Sequence, residues 1–375
     1  MDKFMYDSFF KASGNHTYQN NEVYQMIYIL SVYDSMNYGS YFQAYSLFHI
    51  LKKYDKTAFL DVHHQCVLKQ AIKSVCGHIY HRRVSGIGFE LKKFKLFSDE
   101  RKKLCIVPQK SAEENATYVL GSDEIWNIRR KKFQKTPAFF GIGLKGSKKI
   151  SYAPSVNNSS ENDFIHHTEL IAAIKELDAI TVRDRHSQTL IAALTGREAM
   201  VVADPTFLFM IEGFRKLQQP INRKAGYIMI YTYGKMFKIP DMIDRMKRIA
   251  AKKRLHLISV GNKYLDWCDE NVAVMPGAFL SYVDQADYII TDTFHGTVFS
   301  LLYQKKFVVV NGTNKTSDLL HSCRLESNNI TAVTQLEEVM DQQIDYVQCG
   351  KYLKDIVERS FLFLNEQFAK EEDKK

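Results

Sequence analysis

Nowhere in the 375 residues is there a run of apolar side chains approaching the roughly 20 that a membrane-spanning helix needs. The first 21 residues, Met1 to Asn21, are polar and aromatic and lack the apolar centre of a secretory signal. These two absences lead to the expectation of a cytosolic protein. Cysteine is sparse and scattered: Cys66, Cys76, Cys105, Cys268, Cys323 and Cys349 form no C-x-x-C pair. A zinc site is therefore not expected, nor is a disulfide framework in a cytosolic chain of this length, and reduced packing thiols are. There is no repeat at solenoid spacing and no low-complexity tract. The motifs of the recognised nucleic-acid-binding modules are missing too, so nucleic acid is not an expected partner. No cluster of metal ligands is evident.

What is present reads as globular. Hydrophobic residues make up 45% and charged residues 25%, and the length suits two α/β domains better than one core. The net charge of +9 is unevenly spread. His81-Arg82-Arg83, Lys92-Lys93, Arg101-Lys102-Lys103, Arg129 to Lys132 and Lys145 to Lys149 all lie in the first half. Such a face attracts phosphate, on a lipid headgroup or a substrate, or is simply a solvated surface.

Short β-branched runs alternate with amphipathic stretches, the pattern of repeated βα units. Strands are expected at 26–32, 58–62, 118–120, 149–153, 179–182 and 200–203, with helices at 41–53, 164–176 and 187–194. The pattern weakens after Asp204-Pro205. It restarts with strands at 227–231, 255–260, 288–291 and 307–310 and helices at 240–253, 296–303 and 352–369. The expected organisation is an extension over 1–24, a Rossmann-like domain over 25–210, a second over 211–351 and a closing helix over 352–375. The junction falls near 205–225. Residues 69–103 fit no strand and read as a basic helical insertion or a loop.

Four strand-to-helix turns carry the polar residues of interest. In an open α/β sheet, ligands bind beyond the carboxyl ends of the strands, where the next helix offers N–H groups and a positive dipole end. The strand at 288–291 runs into Asp292-Thr293-Phe294-His295-Gly296, so His295 stands where an anion would arrive and Gly296 lets a ligand approach the backbone. The strand at 26–32 leads into Asn37, Tyr38, Gly39 and Ser40, which open the helix carrying Gln43; a tight Asn-Gly turn needs no function by itself. In Gly121-Ser122-Asp123-Glu124-Ile125-Trp126-Asn127, Asp123 is either an acceptor for sugar hydroxyls or a helix cap, and Trp126 is either a stacking platform or core. Arg183 ends a strand, placed to grip phosphate or carboxylate or to pair internally with Asp184 or Asp204.

In their order and spacing these turns resemble the polysaccharide pyruvyl transferase family. The matching segments are N-Y-G-S-Y-F-Q-A-Y (37–45), G-S-D-E-I-W-N (121–127), S-Y-A-P-S (151–155), T-V-R-D (181–184), A-D-P-T-F-L (203–208) and T-D-T-F-H-G-T (291–297). The resemblance covers roughly residues 25 to 330. It implies a two-domain fold like that of the GT-B glycosyltransferases, with a cleft between α/β Rossmann-like halves, the acceptor side in the first and the donor side in the second. It implies phosphoenolpyruvate as co-substrate, with no cofactor, and a pyruvate ketal placed across two hydroxyls of a sugar, free or lipid-linked. By resemblance His295 matches the family's histidine and Arg183 its donor-binding arginine. Some members carry a basic residue where this chain has Thr293, a gap that Lys263 or Lys315 would fill.

The residues suit that chemistry. His295 would be the acid or the stabiliser of departing phosphate, and Asp123 or Asp292 would orient or deprotonate hydroxyls. Arg183, Thr293, Gly296, Lys263 and Lys315 fall on the donor side, and Asn37, Tyr38, Gly39, Gln43 and Trp126 on the acceptor side. Two other readings stand beside it: a GT-B glycosyltransferase using a nucleotide sugar, and a non-catalytic carbohydrate-binding protein of a polymer-assembly complex. If the acceptor is lipid-linked, the basic face from His81 to Lys149 would make weak, salt-sensitive contact with the anionic inner face of a membrane.

Overall fold

The computed structural model describes residues 25–62, 67–80, 84–223 and 225–369; the expected extension over 1–24 and Cys66 lie outside them. Each half is a parallel sheet wound on both faces. The first runs β3-β2-β1-β4-β5, from β1 (Ile27–Leu30), β2 (Thr57–Asp61), β3 (Ile106–Pro108), β4 (Thr117–Leu120) and β5 (Lys148–Ser151). A further parallel pair, β6 (Thr181–Val182) and β7 (Met200–Val201), continues it through a bridge between Ile150 and Ala179. The second half contains β8 (Tyr227–Tyr231), β9 (His256–Val260), β10 (Glu270–Val272), β11 (Tyr288–Thr291), β12 (Lys306–Val310) and β13 (Asn329–Ile330). Their order, β10-β9-β8-β11-β12-β13, is the doubly wound order of dinucleotide-binding folds. Strands β1, β4 and β8 are buried along their whole length, which is why they read as unbroken apolar runs.

The expected strands are found within a few residues of their places. The short edge strands β3, β10 and β13 were not anticipated, because two or three residues leave no period to detect. The segment at 69–103 is helical, a pair of helices at Val67–Tyr80 and Val84–Arg101. The first long helix starts at Tyr38, where the Asn37 side chain accepts from Gly39 N and caps it, and the last begins at Tyr346. The five described cysteines are free. No described helix is long and apolar enough to cross a membrane.

The halves share one core. Between them runs the helix Pro205–Leu217, capped by Asp204 and kinked at Met210 (φ +59°). Its Phe214 ring packs edge-on to Phe42 of the first half and to Phe299 of the second, each at 5.5 Å. Tyr38 crosses the seam: its ring stacks on Phe279 at 4.4 Å and its hydroxyl donates to Val274 O at 2.6 Å. Gly261 (φ +78°) makes room for it, since a Cβ there would lie 2.0 Å from the Tyr38 ring. The helix Tyr346–Phe368 returns to the first half, where Ser360 Oγ accepts from Ala203 N at 2.9 Å and Asn365 Oδ1 from the Tyr54 hydroxyl at 2.6 Å.

This seam generates a stability prediction. Tyr38→Phe removes one hydrogen bond and is expected to cost about 1 kcal/mol. Tyr38→Ala also opens a cavity and is expected to cost ~3–5 kcal/mol. Urea unfolding monitored by circular dichroism measures both; equal losses in the two variants would mean that the ring contributes nothing across the seam.

Candidate active site

The point where strand order reverses lies between β1 and β4 in the first sheet and between β8 and β11 in the second. The turns leaving these four strands face one another across a cavity of about 790 Å³. Val32 to Ser40 supply one wall and Asp123 with Glu124 the next. Tyr233 and Lys235 form the third, and Asp292 to His295 the fourth. Asn37 holds two walls together, accepting from the Tyr231 hydroxyl at 3.3 Å and donating to Tyr233 Oη. Glycine is required at 39 because His295 lies directly over it; a Cβ would fall 2.3 Å from Nδ1 of that ring.

Beneath the floor lies a buried charge network. Asp204, at the start of the connecting helix, accepts from Thr206 Oγ1 at 2.7 Å and from Arg183 Nη1 at 2.8 Å. His295 Nε2 lies 3.6 Å from the same carboxylate oxygen, too far for a good hydrogen bond. It has no other partner among the described residues. Burial opposes ionisation of Asp204, but His295 and Arg183 outweigh it and hold the carboxyl well below its usual range. Arg183 also reaches to 3.7 Å from Asp123 Oδ1, and its guanidinium sits 4.6 Å from the Phe294 ring centroid. Asp123, held by Ser40 Oγ at 2.8 Å, is likewise kept ionised against burial by Arg183 and Lys315.

The cavity itself is rich in cations. Lys315 pairs with Glu124, on which Arg130 Nη2 (3.4 Å) and Asn157 Nδ2 (2.8 Å) also converge. Lys69, Arg130, Lys132, Lys235 and Lys315 all line the space. Burial beside Arg130 pushes the Lys132 ammonium down to about 8, and burial lowers Lys235 as well. Among the described residues, no group of three or more His, Cys, Asp or Glu side chains is placed to hold a metal ion.

Of the residues singled out from the sequence, His295, Asp123, Asp292, Thr293, Asn37 and Lys315 line the cavity. Several do not. Trp126 is fully buried, its Nε1 donating to Phe139 O at 2.9 Å, so it is core and no stacking platform. Gln43 is also fully buried and ties Ser31, Val32 and Ser40 together, while Tyr38 is spent on the seam. Gly39 and Gly296 lie under the surface as spacers, with Thr293 Oγ1 accepting from Gly296 N at 2.9 Å. Arg183 is absent from the cavity wall; its Nη1 donates to Asp204, the internal pair that the sequence left open, while its Nε and Nη2 have no hydrogen-bond partner among the described residues. Lys263 is exposed and does not reach the cavity; Lys315 does. The Asp292 carboxylate accepts from Thr232 Oγ1 and from the amides of Tyr233, Lys235 and Met236, so it braces that loop. Sequence reasoning missed Arg130, Lys132, Lys235 and Glu124. The run Arg129–Lys132 was visible only as surface charge, and nothing local marks Lys235.

This arrangement defines a GT-B-type α/β protein with a polar cleft between its two halves. The chain belongs to the polysaccharide pyruvyl transferase family, whose sequence profile matches residues 37–314. No curated protein matches the sequence. Among solved structures, the fold is similar to that of a UDP-GlcNAc 2-epimerase of Methanocaldococcus jannaschii, crystallised with UDP-GlcNAc and UDP. The TM-score there is 0.52 at 9% identity, over 89% of this chain and 99% of that one. It is also similar to the glycotransferase of kitacinnamycin, with a TM-score of 0.50 and 12% identity over 92% of this chain and 100% of the other. The S. aureus MnaA–UDP structure aligns with a TM-score of 0.50 and 9% identity over 92% and 97%. Identities this low speak for the fold alone.

Replacing Asp204 with Asn leaves the buried Arg183 without its nearest counter-charge, with only the more distant Asp123 at 3.7 Å, and is expected to cost about 3 kcal/mol. Because the folded-state pKa of Asp204 is depressed, its contribution is complete above the unfolded carboxyl value of about 4 and is lost as the pH falls below it. The gap in melting temperature between wild type and Asp204→Asn should therefore narrow in acid. A gap that is constant from pH 7 to pH 3 would show that the carboxylate charge is not what stabilises this network.

Proposed function

We propose that this protein transfers the pyruvyl group of phosphoenolpyruvate to two hydroxyls of a sugar in a cell-surface polysaccharide or its precursor, acting in the cytosol. Family membership supports pyruvyl transfer. The observation that carries the choice of donor is the gathering of Arg130, Lys132, Lys235 and Lys315 around one cavity with His295 in its wall. Phosphoenolpyruvate bears a phosphate and a carboxylate, and such a cationic space with a helix start beside it complements both.

The reaction balances with the groups at hand. Protonated His295 gives its proton to the methylene carbon, which becomes a methyl group, and the central carbon becomes electrophilic. The first sugar hydroxyl adds there and passes its proton to the now neutral imidazole. The carbon–oxygen bond to phosphate then breaks, the second hydroxyl adds, and its proton leaves with the phosphate. Cations beside the leaving group stabilise its charge, and Asp123 and Glu124 accept hydrogen bonds from the acceptor sugar. Asp204 orients the His295 ring from below, and Asp292 positions the loop that bears Lys235.

Phosphate release from phosphoenolpyruvate with a sugar acceptor tests this reading. His295→Asn should lose about 10²–10⁴-fold in turnover, while the fold is retained with only a modest fall in melting temperature from the loss of one partner of Asp204. Nucleotide release from a nucleotide sugar, with none of phosphate from phosphoenolpyruvate, would instead establish a GT-B glycosyltransferase. Absence of any thermal shift with millimolar phosphoenolpyruvate would point to a non-catalytic binding protein.

Lys132 adds a pH signature. With its pKa at about 8, it carries charge at pH 7 and loses it as the pH rises through that value. Phosphoenolpyruvate affinity, measured by calorimetry, should fall several-fold between pH 7 and 9.5. Lys132→Met should be weaker at pH 7 and fall less steeply over that interval, the remaining slope belonging to Lys235, whose ammonium burial also lowers. A wild-type affinity that is itself flat would remove Lys132 from the donor site.

A further inference from the structure

The helices Val67–Tyr80 and Val84–Arg101 form a hairpin that is firmly seated on one side. Ala71 and Phe97 belong to the core shared by the halves, and Lys93 Nζ donates to Asn262 O at 2.9 Å. His78 of the first helix lies against Gly86 and 3.9 Å from Glu90 of the second. Several side chains that do not face this seat are apolar where solvent would favour polar ones. Leu68 (50% exposed), Ile72 (52%) and Ile79 (59%) form an open stripe on the first helix, and Val84 (78%) and Leu91 (53%) stand out on the second. Leu68, Ile72, Val75 and Ile79 recur at i, i+4, i+7 and i+11, so they share one face over about 16 Å of helix. Six of the eleven exposed large apolar side chains among the described residues lie on this hairpin. So dense a patch is not the scatter found on an ordinary surface.

Charge identifies the occupant. Lys69, Lys73, Lys92 and Lys95 are exposed on the same two helices, and the one acidic side chain between Leu68 and Leu96, that of Glu90, is buried. An apolar stripe flanked by lysines, with its one half-exposed carboxylate, Asp99, near the end of the second helix and paired to Lys102 at 2.8 Å, is the composition of a helix that lies in the headgroup region of an anionic bilayer. A second copy of the chain fits poorly, because a two-fold contact through this face would set lysines against lysines. The stripe also begins beside the cavity, whose wall includes Lys69, the neighbour of Leu68.

We propose that this hairpin docks on the surface of an anionic phospholipid membrane, its apolar stripe entering the interface, so that the cavity mouth opens toward an acceptor sugar carried on a membrane lipid. The lipid-linked acceptor rests on the pyruvyl-transfer reading; the docking does not, and it is measured without turnover.

The test is co-sedimentation of the full-length protein with vesicles of phosphatidylglycerol and phosphatidylcholine, against phosphatidylcholine alone, at 50 mM and 500 mM salt (values of about these sizes bracket the screening range). Binding should need the anionic lipid and weaken with salt. Leu68→Gln, Ile72→Gln and Ile79→Gln together should reduce partitioning by more than about tenfold, since each buried side chain loses its transfer from water. Lys73→Gln, Lys92→Gln and Lys95→Gln together should reduce it by about two orders of magnitude, roughly fivefold for each charge near the surface. Both variants should keep the wild-type melting temperature and phosphate release with a soluble acceptor. Equal binding by wild type and the glutamine-stripe variant overturns the proposal, as does equal binding to neutral vesicles. So does a wild-type dimer that the stripe variant dissociates. Unfolding of the stripe variant would overturn it too, because a solvent-facing stripe supports no core.

Discussion

The Asp204 carboxylate is the group on which the rest of this site depends. It stands where the first half ends, caps the connecting helix through Thr206, and accepts from Arg183 at 2.8 Å. From the second half, His295 approaches the same oxygen to 3.6 Å. One buried charge thus answers to the last strands of the first sheet, to the helix between the halves and to the turn that bears the histidine. Removing two ions from water is expensive, and the cost is met only when each finds partners of good geometry. The network can therefore form only with both halves in their observed relation.

An apolar counterpart supports this junction. Phe42, Phe214, Phe279 and Phe299 meet edge to face across the seam, and Tyr38 threads between them to reach Val274 O. A seam of this kind resists sliding, since aromatic rings in close packing have few alternative fits. Its rigidity matters for the cavity above it. The four turns contribute one wall each, and a shift of about 1 Å between halves would separate His295 from the cations gathered from both sides. Gly39 and Gly261 are the points of closest approach, and each is glycine because a side chain from the other half occupies the space of a Cβ.

Much of the fold was legible in the residues. Strands β1, β4, β8, β11 and β12 are short β-branched runs, and their alternation with helical stretches implies parallel sheets. The edge strands β3, β10 and β13 escaped notice because two or three half-exposed residues carry no periodic signal. The hairpin at 67–101 was left open between helix and loop, since its apolar residues serve an inward face and an outward one, which blurs the pattern of a single amphipathic helix. Of the site, the turns with His295, Asp123 and Asn37 could be found from their position after strands. Arg130, Lys132 and Lys235 could not, because an inward-turned cation and a solvated one look alike in sequence.

What the sequence determined by itself was the type of element at each place and the four turns from which a site would be built, because strand, helix and cap preferences are local. Which polar side chains reach the cavity was decided only in three dimensions. Trp126 and Arg183 sit in turns of the right kind and Gln43 in the helix that follows one, yet packing claims the first, the Asp204 pair holds the second and hydrogen bonds under the floor hold the third. Lys132 and Lys235 lie about a hundred residues apart and meet across the cleft because the two sheets set their switch points face to face. Side-chain direction and inter-domain register depend on contacts between residues far apart in the chain, and no local pattern encodes them.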